Sequence, residues 1–426
     1  MSTLKVNKLR DTAGSADAIT LDPNGGAVLA GVTTVTSVKV GAAVTISESG
    51  IEASGIGITC ASINGGQFSN RNMVINGAME VDQRNGGSAV TSSPGGTLNF
   101  AADRNHFYNY GTGELTATLQ RVADAPAGFY NSNKVTITTP ESTGGTPAAD
   151  DRFSMQHRIE GRDINRLSLG TSGAKDFVIS FYVKVSVAGD YGLAVVSGTS
   201  GGRSYCMLYP ATTSWTRVVL KVPGDTSGSY QAGTSSGLEL KFGLYNGSNR
   251  TGADQGVSGT GSWQSTDAPQ GTTGQYQLGG TNGATWQITG LQVEAGTEVT
   301  EFEHKSHGSE LSLCQRYYFR LTSNDAGQRY GSGMQVTSSA SDILIHHPVP
   351  MRSKPTALET SGTASDYAVA RTSTWEVCNV VPVLQVAHTH STMVRTNQTQ
   401  ASLSTGIATI LRANTTDFVL GFTAEL

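Results

Sequence analysis

Charge is scarce in this sequence: only 15% of its 426 residues are Asp, Glu, Lys or Arg, and they nearly cancel, to a net charge of −4. No basic stripe breaks the balance, so the electrostatic footprint of nucleic-acid binding is missing. Aromatics are scarce too, at 7%, and the 4 cysteines, Cys60, Cys206, Cys314 and Cys378, stand far apart with no C-x-x-C pair. That spacing speaks against a disulfide framework or a zinc site and for reduced thiols made in a cytoplasm. No apolar run approaches the roughly 20 residues of a membrane-crossing helix. The opening MSTLKVNKLRDTAG lacks the apolar region of a signal peptide, so neither membrane insertion nor signal-directed export is expected.

What is abundant is glycine, 52 residues of it, among many Ser and Thr. Such a composition favours extended strands joined by tight polar turns, and predicts an all-β chain with room for two or three cores. The strictest pattern lies in 71–305. Phe177, Ile179, Phe181, Val183, Val185 and Val187 take every second position; Leu238, Leu240, Phe242 and Leu244 repeat this, as do Val218, Leu220 and Val222. Strands of this kind, separated by turns such as PGDTSGS, predict an antiparallel, jelly-roll-like sandwich with Trp215 and Trp286 in its core.

Residues 1–70 carry a single aromatic, Phe68, and spread Val, Ile, Leu and Ala through short strand-turn units. A thin ribbon cannot close a core alone. Val38, Val40, Val44, Ile46, Ile51, Ile56 and Ile58 therefore need a neighbour, and the nearest supply is the same segment of another copy. An elongated, intertwined N-terminal β segment follows.

Three kinds of structure meet in 285–320. Trp286 and Ile288 alternate with polar residues, Gly290 interrupts, and Leu291 and Val293 resume in the opposite phase, which reads as one strand with a bulge. Then the period changes. Leu311, Cys314 and Tyr318 are spaced i, i+3, i+7, predicting a short connecting helix over 306–320, capped by Ser309, with Glu310 at its positive end. From 321 to 426 a second β unit follows, with its DILIHH strand cut off by Pro348 and Pro350.

The wording of this stretch carries a resemblance. FEHKSHGSELSLCQRYYFR resembles a segment common in bacteriophage tail-fibre proteins, NMVINGAMEVDQR at 72–84 is similar to the opening of the same fibre module, and PVPMRSKPTAL and LRANTTDFVLGFTAEL match its end more loosely. The resemblance implies a structural, adhesive virion protein. It would be a homotrimer, fixed to a virion tail or adaptor protein by its N-terminus and touching host surface polysaccharide with its β domains. It implies no catalytic residue. On it, Leu311, Cys314 and Tyr318 join the aliphatic ribbon as oligomerisation candidates.

Candidate glycan contacts are aromatics set among hydroxyl and amide side chains: Trp263 and Tyr276 in the Gly/Ser-rich excursion Asn246–Ala284, and Tyr330, Tyr367 and Trp375 in the C-terminal unit. GTSGG at 198–202 fits a nucleophile elbow only by chance, since strand rather than helix follows. His346-His347 and His388-x-His390 lack acidic or cysteine partners nearby, and Asp103 and Asp150-Asp151 read as turn residues, so neither metal nor cofactor is expected. The competing functions are a glycan-cleaving tailspike-like depolymerase and a head or collar decoration fibre without a receptor role.

Overall fold

The alternating runs become the two inner faces of a sandwich. One six-stranded sheet runs, in spatial order, Thr216–Val222, Phe177–Val185, Thr285–Ala295, Ser132–Thr139, Thr116–Val122 and Val90–Ser92; the other runs Ser204–Ala211, Gly189–Ser197, Ser236–Asn246, Arg152–Glu160, Asn105–Tyr110 and Leu98–Ala102. Every pairing within them is antiparallel, and the chain passes repeatedly from one sheet to the other, as jelly rolls do. Phe177, Ile179, Phe181, Val183 and Val185 fill the core with Leu238, Leu240, Phe242 and Leu244. Phe181 meets Tyr209 and Phe242 edge-on at 5.1 Å, the geometry the ring quadrupoles favour. Val187 lies past the strand end and is half-buried.

This computed structural model describes residues 69–198, 202–370, 374–398 and 404–426, and, before them, the backbone of six short strands. The chain divides into two compact units, Met1–Ala61 and Ser62–Leu426. The first holds two three-stranded antiparallel sheets, one of Lys8–Leu9, Ile19–Leu21 and Ala27–Leu29, the other of Ser37–Val40, Val44–Ser47 and Gly50–Ala53. In the second of these, Val38 stands opposite Ile46, Val40 opposite Val44, and Ile46 opposite Ile51. Their side chains, and all of Ile56, Ile58 and Cys60, lie outside the described residues, as does any packing between copies.

Gly290 does interrupt the long strand. It has φ +64°, and the pairing with Phe177–Val185 slips between Ser180 and Tyr182 so that Ile288 and Leu291 both point inward. Trp286 is fully buried, but Trp215 is not core. It precedes its strand, is half-buried, and donates its indole N–H to Asp124 at 3.2 Å.

Beyond the sandwich, helix His307–Gln315 is capped by Ser306, whose hydroxyl accepts the Ser309 N–H at 3.3 Å; Ser309 sits inside the first turn. Its buried residues are Glu310 and Cys314, with Leu311 and Leu313 only half-buried. Tyr318 already belongs to a strand, Tyr318–Thr322, in a three-stranded sheet with Val419–Thr423 and Ala357–Thr360. A closed six-stranded barrel completes the unit, in the order Arg329–Gln335, Ala340–His346, Ser391–Gln398, Trp375–Ala387, Tyr367–Ala370 and Ala408–Ala413. No helix among the described residues is long and apolar enough to cross a membrane.

Arginines bind the C-terminal unit and the sandwich together. Glu160, wholly buried at a sandwich strand end, accepts the Tyr317 hydroxyl at 2.7 Å and the Arg316 guanidinium at 3.0 and 3.1 Å. Arg352 donates to Thr234 O on the sandwich and to Ala424 O and Glu425 O, while Arg84 and Arg104 both pair with the Glu425 carboxylate. The segments that carry the fibre resemblance meet here as well: Asn72 N–H donates to Glu303 at 2.8 Å, Asn76 N–H to Glu310, and the Gln83 side chain to Tyr318 O at 2.7 Å.

Candidate functional site

The outer face of the second sheet, near its Leu98–Ala102 edge, gathers aromatic rings, of which Tyr110 is exposed and Tyr108 and Phe100 are half-buried. In NHFYNY the inward residue is Phe107, so His106, Tyr108 and Tyr110 point outward at the period-two spacing of a strand. Register then builds rows across the sheet. Leu98 stands opposite Tyr108 and Phe100 opposite His106; on the far side Arg152 faces Tyr110, Ser154 faces Tyr108 and Gln156 faces His106.

Two guanidiniums hold these rings. The Tyr108 and Tyr110 planes lie within 6° of parallel with centroids 6.4 Å apart, and Arg152 Cζ is 5.0 and 4.6 Å from those centroids. Further along, Arg84 Cζ lies 3.9 Å from the Phe100 centroid and 3.6 Å from that of Tyr318, clamped between sandwich and C-terminal sheet. Cation–π contacts of this kind fix ring orientation without covering both faces. Tyr110 remains 44% exposed.

Behind the rings lies a wired polar floor. His106 Nε2 is 3.2 Å from Gln156 Oε1, and Gln156 Nε2 donates to Gln270 Oε1 at 2.7 Å. Burial, reinforced by the nearby Arg158 charge, pushes the His106 pKa well below the usual imidazole value and keeps the ring neutral. Beside Phe100 a groove of about 380 Å³ opens between the two β layers, lined by Arg84, Asn85, Asn99, Phe100, Tyr318 and Glu359. Its volume falls within the usual range of small-ligand sites, roughly 300–1,000 Å³. Glu359 accepts the Tyr318 hydroxyl and lies 3.4 Å from Arg320. Flat rings next to fixed amide, carboxylate and guanidinium groups can take up a pyranose, whose faces are apolar and whose rim is hydroxylated.

The aromatics expected from the sequence are mostly elsewhere and mostly occupied. Trp263 is buried, packs on Tyr205 and Tyr230, and donates to Pro223 O at 2.8 Å. Tyr276 leans on Tyr191 with its hydroxyl 2.9 Å from Thr281, so both rings anchor the excursion to its own domain. Tyr367 is wholly buried under the barrel, and Tyr330 stacks on Phe418 at 4.2 Å and donates to Thr322 O. Trp375 is the exception, 55% exposed, with Arg412 Cζ 4.4 Å from its ring. Among the oligomerisation candidates, Cys314 and Tyr318 are spent inside the chain, and Leu311 is half-buried. Cys206, Cys314 and Cys378 are free, buried thiols. His347 bonds Thr389 O and Thr392 Oγ1, each at 3.0 Å, and no group of three or more His, Cys, Asp or Glu among the described residues could hold a metal.

Sequence reasoning missed Phe100, Tyr108, Tyr110, Arg84 and Arg152. The alternation of NHFYNY was the available signal.

No family model matches the sequence, and no curated protein matches it. Solved structures do. A family 4 carbohydrate-binding module is 11% identical over 52% of this chain and 99% of its own, with a TM-score of 0.27. The xylan-binding domain CBM22-1 of Paenibacillus barcinonensis Xyn10C is 13% identical over 51% of this chain and 99% of its own, at 0.24. The enzymatically active domain of tailspike protein 4 of bacteriophage CBA120 is 10% identical over 53% of this chain and 21% of its own, at 0.26. Likeness at these scores assigns no ligand or activity to this chain.

Proposed function

We propose that this chain is an adhesive fibre protein of a virion, a tail fibre that binds host surface polysaccharide without cleaving it. The observation that carries the binding role is the guanidinium-braced row of rings Tyr110, Tyr108 and Phe100, beside a groove of about 380 Å³. The fibre role rests on the resemblance of NMVINGAMEVDQR and FEHKSHGSELSLCQRYYFR. Mutual packing of those segments at the seam supports reading them as one module. In this proposal the N-terminal strands hold three copies together and dock on a tail or adaptor protein, and Trp375 offers a further exposed contact.

The test is retention on immobilised host polysaccharide, with soluble reducing ends assayed alongside. Retention that weakens about tenfold in Tyr110→Ala, with no new reducing ends, is the expected outcome; a stacked base or ring contact is worth about 1–3 kcal/mol. New reducing ends would replace the adhesin by the depolymerase. Unchanged retention in Tyr110→Ala would remove this face from binding. A monomeric mass would overturn the three-copy arrangement.

A further inference from the structure

The opposite sheet carries its own partly open cavity, separate from the groove beside Phe100. The loops 123–131 and 296–306 fold over the outer face of this sheet. Between them lies a cavity of about 180 Å³ lined by Phe129, Tyr182, Phe302, His304, Arg217 and Glu301, among others. Phe129 is the hub: its ring is 5.4 Å from Tyr182, 5.0 Å from Phe302 and 5.2 Å from His304. It seats directly on Gly290, where any Cβ would come within 2.8 Å of Phe129 Cζ and 3.0 Å of Tyr182 Cδ2. The glycine bulge thus also shapes this cavity.

At about 180 Å³ the cavity lies below the roughly 300–1,000 Å³ of most small-ligand sites, which limits it to a single ring rather than a chain. Its charged lining is a single loose pair, Arg217 and Glu301. Arg217 donates to Thr300 O at 2.5 Å, a backbone carbonyl, which leaves its positive charge uncancelled by that bond. The Glu301 carboxylate reaches Arg217 only at 3.7 Å, and its side chain is 93% exposed. A carboxylate brought by a ligand can displace it with little loss, because an exposed pair that long is weak.

From this we infer that the cavity is a second binding site, specific for one acidic pyranose such as a hexuronic acid. The ring faces meet Phe129 and Tyr182, and the carboxylate takes the place of Glu301 on Arg217. A neutral sugar would find the rings but no partner for the guanidinium, so discrimination falls on the acid. The site goes beyond the groove: it would give one chain two contacts on opposite faces of a sandwich.

The experiment is titration of the full chain with methyl glucuronide and, separately, methyl glucoside, read by ligand-observed NMR. The glucuronide is expected to bind and Arg217→Gln to weaken it about tenfold or more, the worth of a charge-assisted hydrogen bond. Glu301→Gln, an exposed change that leaves the fold alone, should tighten it by up to about fivefold by removing the internal competitor. Tyr110→Ala should leave glucuronide binding unchanged. Equal affinity in wild type, Arg217→Gln and Glu301→Gln, or no binding of the glucuronide at all, overturns the second site. Loss in Tyr110→Ala would also overturn it, by assigning the acid to the groove. Neutral oligosaccharide retention, read through Tyr110→Ala, judges the groove independently.

Discussion

Glu160→Ala tests whether the seam is held by one buried carboxylate. The side chain is fully buried and accepts three hydrogen bonds from Arg316, and it also serves Arg162 at 2.9 Å and the Tyr317 hydroxyl. Removing one member of a buried pair costs about 3–5 kcal/mol, since the remaining charge stays desolvated and unpaired. Here the guanidiniums are not wholly enclosed: Arg316 is 24% exposed and Arg162 50% exposed, so water replaces part of what is lost. The Arg162 contact contributes little, as partly solvated pairs do. The orphaned Tyr317 hydroxyl, whose ring lies under the Arg104 guanidinium, adds about 1 kcal/mol. The net expectation is a loss of about 3 kcal/mol, measured by equilibrium denaturant unfolding of the full chain. Tryptophan fluorescence can follow it, because Trp286 reports on the sandwich core and Trp375 on the barrel. A cycle with Arg316→Met sharpens the test: the double variant should lose less than the sum of the singles by about 1.5–3 kcal/mol, as contacting residues do. A loss below about 1 kcal/mol in Glu160→Ala, or strictly additive effects, would refute the claim that this pair couples the two β layers.

Gly290→Ala places a Cβ where φ is +64° and Phe129 is 2.8 Å away, so a loss of about 2 kcal/mol in thermal or denaturant unfolding is expected; an unchanged midpoint would contradict the bulge geometry. Asp103 gives a pH signature. Burial raises its carboxyl to about 6, against the opposing pull of Arg84 and Gln83, so its ionised form costs stability: its contribution is complete below about pH 4 and is lost as pH rises through about 6. The wild type should therefore fall by about 3 kcal/mol relative to Asp103→Asn between about pH 4 and pH 7, and parallel pH profiles would sink the assignment.

Much of the sandwich was legible because period-two alternation fixes which residues share a face, and a buried face permits only one register. It does not tell what covers the other face. Glu239 and Lys241 alternate with the core residues as solvent-facing charges would, yet Lys241 is buried and pairs with Glu239 at 3.1 Å. Likewise a Trp in a Gly/Ser-rich excursion gains more by folding back onto the sheet than by facing water, and Trp263 does so. The helix shows a second kind of error. Spacing grouped Leu311 with Cys314 and Tyr318, but the helix ends at Gln315, and the next residues turn into a strand. The face is set instead by Glu310, whose carboxylate is drawn inward by the Asn76 N–H.

The ring row escaped for a related reason. Tyr108 and Tyr110 announce themselves locally, but what makes them a platform is distant in sequence. Arg152 comes from another strand, and Arg84 bridges Phe100 to Tyr318 across more than two hundred residues of chain. Arg84 sits in the DQR end of one fibre-like segment and Tyr318 in the RYYFR end of the other. Each segment alone reads as a turn or a helix-to-strand junction, with no hint of a ligand. Folded together, they place a guanidinium between two rings at the mouth of a groove. If the face binds glycans, those two segments do two jobs at once, holding that arginine in place and joining two β units. Arg84→Lys separates the two demands. A lysine keeps the charge near Asp103 and Glu425 but loses the planar stack, so polysaccharide retention should weaken about threefold or more while the unfolding midpoint moves little. Unchanged retention with a lowered midpoint would mean the stack serves the seam alone.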